Sequence, residues 1–221
     1  MSALSAERDV LAPCIGDDGV DYAALERHVD LVTLTEEIAG ADLSRAGRDE
    51  QLAFYLNAYN LLVLQRVLER LRRKPHWPGN VSLPARLRFF LLERHLVAGK
   101  PMSLYGLENR VIRASFREPR SHFALNCASR SCPPLPARLF VADELEKDLE
   151  RLTQAYVNSP EVRYDAVQNT LRVSRIFRWY REDFAPGIVP FVQRYRDDVP
   201  PDAAVRYGDY DWSLNRWRER P

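Results

Sequence analysis

In "VDYAALERHVDLVTLTEEIAG", Leu25, Val29 and Val32 recur at helical spacing, which predicts a helix ending at Gly40. The following segment, "DEQLAFYLNAYNLLVLQRVLERLRRK", places Leu52, Leu56, Tyr59, Val63 and Val67 on one helical face. Phe54, Leu61, Leu64 and Leu68 cover its other sides. A helix that is apolar nearly all round belongs in a core. Asn57 and Asn60 sit inside this run, three residues apart. Buried amides are costly unless hydrogen-bonded, so these two either tie down a neighbouring loop or line a polar pocket.

"KPHWPGNVSLP" is a turn-rich connector, and "ARLRFFLLERHLVAGK" is apolar and aromatic up to Gly99. Ser103 has the character of an N-cap for "LYGLENRVIR", with Leu104, Leu107, Val111 and Ile112 facing inward. Glu108 borders that face, and Arg113 is its expected partner, or that of a nearby carbonyl. After the turn "REPR", the short apolar run "SHFALNC" reads as a buried strand. Pro133, Pro134 and Pro136 exclude regular structure behind it. Helix resumes at Asp143, with Glu146 completing a capping box and Leu145, Leu149, Leu152 and Tyr156 on one face. "EVRYDAVQNTLRVS" reads as a hairpin, "RIFRWYREDF" and "GIVPFVQRYRDD" as aromatic-rich helices, and "VRYGDYDWSLN" as a last strand anchored by Trp212. The order predicts an α+β fold: one mainly helical domain over residues 1–221, with a small, mostly antiparallel sheet late in the chain.

Composition narrows the function classes. The 32 basic and 31 acidic side chains leave a net charge of +1, so neither a nucleic-acid nor a membrane partner is expected. The basic stretch Arg66 to Lys74 ends a helix, where it complements the helix dipole. No apolar run approaches the roughly 20 residues of a membrane span. The opening "MSALSAERDVLAPC" lacks the pattern of an export signal, and three cysteines suit a reducing cytoplasm. With 9 glycines and no glycine-rich phosphate loop, no dinucleotide cofactor is expected.

The chemistry concentrates in "HFALNCASRSCPPL", where His122, Asn126, Cys127 and Cys132 fall within eleven positions. On a strand, the odd spacing of His122 and Cys127 sends them to opposite faces, about 16 Å apart at about 3.3 Å per residue. That geometry argues against a direct dyad unless the chain bends. A reversal through "ASRS" instead brings Cys132 alongside Cys127. The C-x-x-x-x-C spacing lacks a second cysteine pair, so no metal is expected. Buried cysteines also serve simply as small hydrophobes.

"LAFYLNAYNLLVL", "SLYGLENRVIR", "EPRSHFALNCASRSCPPL" and "YDWSLN", in that order, resemble the family catalogued as domain of unknown function 547. The resemblance runs from about residue 20 to 215, leaving a short N-terminal extension. It implies an α+β domain and marks Asn57, Asn60, Glu108, Arg113, His122, Asn126, Cys127 and Cys132 as family-pattern positions. One departure is Asn109, where family members often carry histidine after the glutamate.

The leading expectation is a thiol-dependent hydrolase or acyltransferase acting on a small molecule or peptide. Cys127 or Cys132 would be its nucleophile, and His122, through a bend or through Glu108, its base. The amides of Asn57, Asn60 and Asn126 would stabilise an oxyanion, with Arg113 also binding. The alternatives are a non-enzymatic binding or scaffold domain, favoured by Trp179, Tyr180 and Trp212, and a redox-sensing cysteine pair.

Overall fold

The computed structural model describes residues 8–16 and 19–217. Residues 1–7, half of the opening segment read as lacking an export signal, lie outside them. The fold is α+β and mainly helical, as expected. A short antiparallel pair, β1 (Ile15–Gly16) and β2 (Gly19–Val20), precedes the first predicted helix, which is two, α1 (Tyr22–His28) and α2 (Leu31–Gly40). Asp30 interrupts them because its carboxylate caps Val32 and Thr33, offering the backbone a fresh helix start.

Helix α3 (Arg48–Arg73) is the central element. Its first turn is closed by Glu50, whose carboxylate accepts from the Gly47 N–H at 2.7 Å. From Leu56 to Leu64 every side chain is buried, as its apolar circumference requires. The segment after the turn-rich connector forms α4 (Leu83–Arg86), prolonged by a π-helical turn over Leu87–Leu92. It then folds into the hairpin of β3 (His95–Val97) and β4 (Lys100–Met102), whose turn holds Gly99, the residue read as ending the apolar stretch. Ser103 caps α5 (Leu104–Gly106), as its sequence position suggested, and a π-helical stretch continues it to Phe116.

Helix α6 (Leu145–Val157) follows a short 3₁₀ turn, and the expected capping box is absent. Glu146 pairs instead with Arg120, because an exposed carboxylate gains more from a guanidinium than from a backbone N–H already inside the turn. The predicted hairpin is present as β5 (Arg163–Asp165) and β6 (Thr170–Val173). The last strand β7 (Ala204–Tyr207) lies parallel to β6, so the late sheet is mixed rather than mostly antiparallel. The chain between β6 and β7 contributes the short helices α7 (Ile176–Trp179) and α8 (Ile188–Gln193), a crossover that allows the parallel pairing.

Buried side chains form two clusters. One surrounds α3. The other is rich in aromatics and holds Phe123, Tyr156, Phe177, Phe184 and Phe191. The segment carrying His122 and Cys127 crosses from one to the other: Phe123 packs in the second cluster, while Ala124 and Leu125 pack in the first. No helix among the described residues is long and apolar enough to cross a membrane.

Candidate active site

The stretch read as a strand is not one. Pro119–Phe123 is a 3₁₀ turn, begun by a proline preset for helical φ and capped by the Glu118 carboxylate. Among the described residues, no strand pairs with residues 124–126. Asn60 takes a strand's place: its Nδ2 donates to the Ala124 carbonyl at 2.9 Å, and its Oδ1 accepts from the Asn126 N–H at 2.9 Å. The strand argument against His122 and Cys127 therefore fails. Both line one cavity of about 410 Å³, a size typical of small-molecule sites.

Cys127 and Cys132 meet as expected from the reversal, with sulfurs 2.9 Å apart, and both are free thiols. The Cys127 N–H also donates to the Cys132 sulfur at 2.9 Å. The reversal is held by the C-terminal tail. Arg130 N–H donates to the Ser213 carbonyl, Asn215 N–H to Ala128, and Asp211 N–H to Ser131 Oγ. This lays Tyr210 beside the thiols. Cys127 Sγ is 2.9 Å from Ser129 Oγ and 3.2 Å from the Tyr210 hydroxyl, which are themselves 3.1 Å apart. Burial pushes the Cys127 thiol up, but hydrogen bonds from Cys132, Ser129 and Tyr210 outweigh it and bring the group down to about 7. Burial and the neighbouring Cys127 push the Cys132 thiol up instead.

His122 is buried, and its Nε2 lies 2.7 Å from Asp183 Oδ2. The ring stacks on Tyr180 at 4.1 Å between centroids. Asp183 also receives two hydrogen bonds from Arg113, at 2.6 and 2.9 Å. Burial raises the Asp183 carboxyl, while His122 and Arg113 outweigh that and hold it well below the ordinary carboxylate range. The partner of both His122 and Arg113 is thus Asp183, not Glu108. A carboxylate 61 positions from His122 can reach it because Phe177 of α7 packs on Phe123, which sets the following Arg181–Asp183 turn beside the imidazole. Glu108 does line the cavity, and after burial its charge is the next influence raising the Tyr59 and Tyr180 phenols. Asn109 accepts from Arg113 at 2.6 Å.

The expected asparagine donors stand elsewhere. Asn57 exchanges two hydrogen bonds with the Phe140 backbone, and Asn60 clamps the loop described above. Asn126 donates to the Pro133 carbonyl and accepts from the Ala128 N–H and from Asn215. None of the three lines this cavity, since main-chain groups and Asn215 engage their amides. They hold the loops that carry the thiols.

Reasoning from sequence missed Asp183, Tyr210 and the role of Ser129. Asp183 had one local signal, a carboxylate in the aromatic stretch "RWYREDF". Trp179, Tyr180 and Trp212 do converge on the cavity. Among the described residues, no cluster of three or more His, Cys, Asp or Glu is arranged to hold a metal ion.

The sequence model of the family described as "protein of unknown function, DUF547" matches residues 43–157, just over half of the chain. The chain belongs to the DUF547 family. The matched region contains both thiols, His122, Glu108 and Arg113, whereas Asp183, Tyr210 and the tryptophans of the cavity come from beyond it. No curated protein and no solved structure matches the chain.

Proposed function

We propose that this DUF547 protein is a thiol-dependent hydrolase or acyltransferase, with Cys127 as nucleophile and His122, oriented by Asp183, as general base. The observation that carries the reading is the lowered Cys127 thiol sharing a cavity with an imidazole whose Nε2 is held by a carboxylate. Asp183 engages Nε2 and leaves Nδ1 for proton exchange.

In the proposed cycle the Cys127 proton passes to His122 and the sulfur bonds to the substrate carbonyl carbon, moving the C=O electron pair onto oxygen. Collapse of that intermediate breaks the bond to the leaving amine or alcohol, which takes the proton from His122. A thioester remains. Water or a second nucleophile then attacks it, giving its proton to His122, and the Cys127 thiolate departs. Glu108 and Arg113 border the same space as binding groups.

The test is acylation by p-nitrophenyl acetate, read as a burst of p-nitrophenolate together with the mass of the acylated peptide. The reading expects one acetyl group on Cys127, none in Cys127→Ala, and a burst slowed at least tenfold in His122→Ala. Acetylation elsewhere, or a burst unaffected by loss of His122, overturns it and leaves the aromatic cavity as a binding site.

The 2.9 Å approach of the two sulfurs favours a second reading, a redox pair. Treatment with hydrogen peroxide would then remove two protons and two electrons to form a Cys127–Cys132 disulfide, with peroxide reduced to water. A loss of about 2 Da, the mass of the two hydrogens removed, restored by dithiothreitol, is its signature.

A further inference from the structure

The ring and cation contacts of the cavity lining fall into two groups. One holds the proton-handling side chains: His122 and Arg113 both lie against Tyr180, and Asp183 joins them. The other is an aromatic wall. Tyr210, whose hydroxyl is 3.2 Å from Cys127 Sγ, packs on Trp179 at 4.8 Å and on Trp212 at 4.7 Å, and Trp212 packs on Phe90.

The wall continues outward. Leu87 and Leu91, from the π-helical turn, line the same cavity yet are 43% and 41% exposed, as is Trp179 at 43% and Tyr105 at 46%. Large apolar side chains left in water around a cavity mouth are unfavourable in the free protein, and contiguous exposed apolar surface marks a binding site. Here that surface is continuous with the wall that touches the thiol. The charges in the lining stand off this wall: Glu108 and Arg113 lie with Tyr180, Arg113 satisfied by Asp183, and Arg86 lies flat over Trp212 at 4.7 Å while donating to the Asn80 and Val81 carbonyls.

We infer that the substrate's electrophilic centre carries a long alkyl arm, which runs from Cys127 along Tyr210, Trp212 and Trp179 to the exposed Leu87 and Leu91. This inference rests on the proposed nucleophilic role of Cys127 and specifies the substrate class.

Alkyl methanethiosulfonates of increasing length test it. The Cys127 thiolate attacks the thiosulfonate sulfur, a disulfide to the alkyl thiol forms, and methanesulfinate leaves. Rates are read by mass spectrometry with peptide mapping, each divided by the rate for free cysteine. From methyl to hexyl, the normalised rate should climb about fourfold per methylene at full burial. Leu87→Ser, Leu91→Ser and their double variant should each lower the hexyl-to-methyl ratio; the two residues are partly exposed, so the fold tolerates the change. A flat series at a reactive Cys127, or a faster reaction with the trimethylammonioethyl or sulfonatoethyl reagent than with the butyl one, overturns the alkyl arm alone. Failure of Cys127 to react even with the methyl reagent overturns the nucleophile beneath it.

Discussion

His122 Nε2 and Asp183 Oδ2 lie 2.7 Å apart across 61 positions of chain, and Arg113 grips the same carboxylate with two hydrogen bonds. One acidic side chain therefore fixes an imidazole and neutralises a guanidinium. The ring cannot turn about its own axis without breaking that bond or its stack on Tyr180.

Asp183→Asn should separate the two consequences. The native carboxylate is held below the ordinary range near 4, so its stabilisation is complete above that pH and is lost as the pH falls further. The variant should be less stable at pH 7 by about 1.5–3 kcal/mol, the worth of a charge-assisted hydrogen bond. Its stability should also decline less between pH 5 and 2. Thermal unfolding across that range checks both, and the acylation burst should slow by about tenfold to a hundredfold. Parallel stability curves for the two proteins would contradict the assignment.

Asn60→Ala removes both hydrogen bonds that replace a strand ladder around Ala124 and Asn126. A buried carbonyl and N–H then lack partners, at about 1–3 kcal/mol each. Urea unfolding should show a loss of roughly 2–6 kcal/mol. Asn60→Asp keeps the acceptor for Asn126 but sets a buried carboxylate against the Ala124 carbonyl, so it should cost at least as much stability as alanine while keeping the Asn126 amide bonded. Hydrogen exchange at the Asn126 amide distinguishes the two variants, with protection lost in the alanine form.

Local patterns carried much of this fold. The apolar circumference of α3 marked it as the core helix, and Ser103 was legible as a cap because its hydroxyl acts within three residues. Tertiary partners were less legible. "SHFALNC" has the apolar content of a strand, and nothing within it reveals that Asn60 would satisfy its backbone and let it turn. The error mattered, because the odd-spacing argument against His122 and Cys127 holds only for an extended chain. Asp183 and Tyr210 reach the site through α7 and the tail, and no spacing rule within the cysteine motif encodes a contact across 61 or 83 positions. The pairing of the thiols, by contrast, needed only a short reversal, and its components were adjacent in sequence.

Gly79 tests the seat of the tail that brings Tyr210 and Trp212 inward. Its φ is +97°, and a Cβ there would lie 2.6 Å from Leu214 N and 2.8 Å from the Trp212 carbonyl oxygen. Both are backbone atoms, so they cannot swing aside as a side chain would. Gly79→Ala should destabilise by roughly 1–3 kcal/mol through φ strain, with the clash adding to it. Displacement of the Trp212 segment should also shift tryptophan emission to the red as that wall opens to water. Unaltered stability and emission would show that the close approach at Gly79 does not seat the tail.

The titration of Cys127 reads the thiol environment directly. Burial opposes the thiolate, and the Cys132, Ser129 and Tyr210 hydrogen bonds outweigh it, setting the group at about 7. The rate of carbamidomethylation at Cys127 should therefore rise with pH through a midpoint near 7, below the ordinary cysteine value of about 8.5. Tyr210→Phe keeps the packing against Trp179 and Trp212 and deletes one donor. A charge-assisted hydrogen bond of about 1.5 kcal/mol corresponds to about one pH unit, so the midpoint should move up by about that much. Ser129→Ala should move it in the same direction, and the double variant further than either. Loss of the donors weakens stabilisation of the charged form, so the sign is fixed: the variants require higher pH for the same thiolate fraction. A midpoint near 8.5 in the native protein, unmoved by either substitution, would show that the three donors do not act on this sulfur.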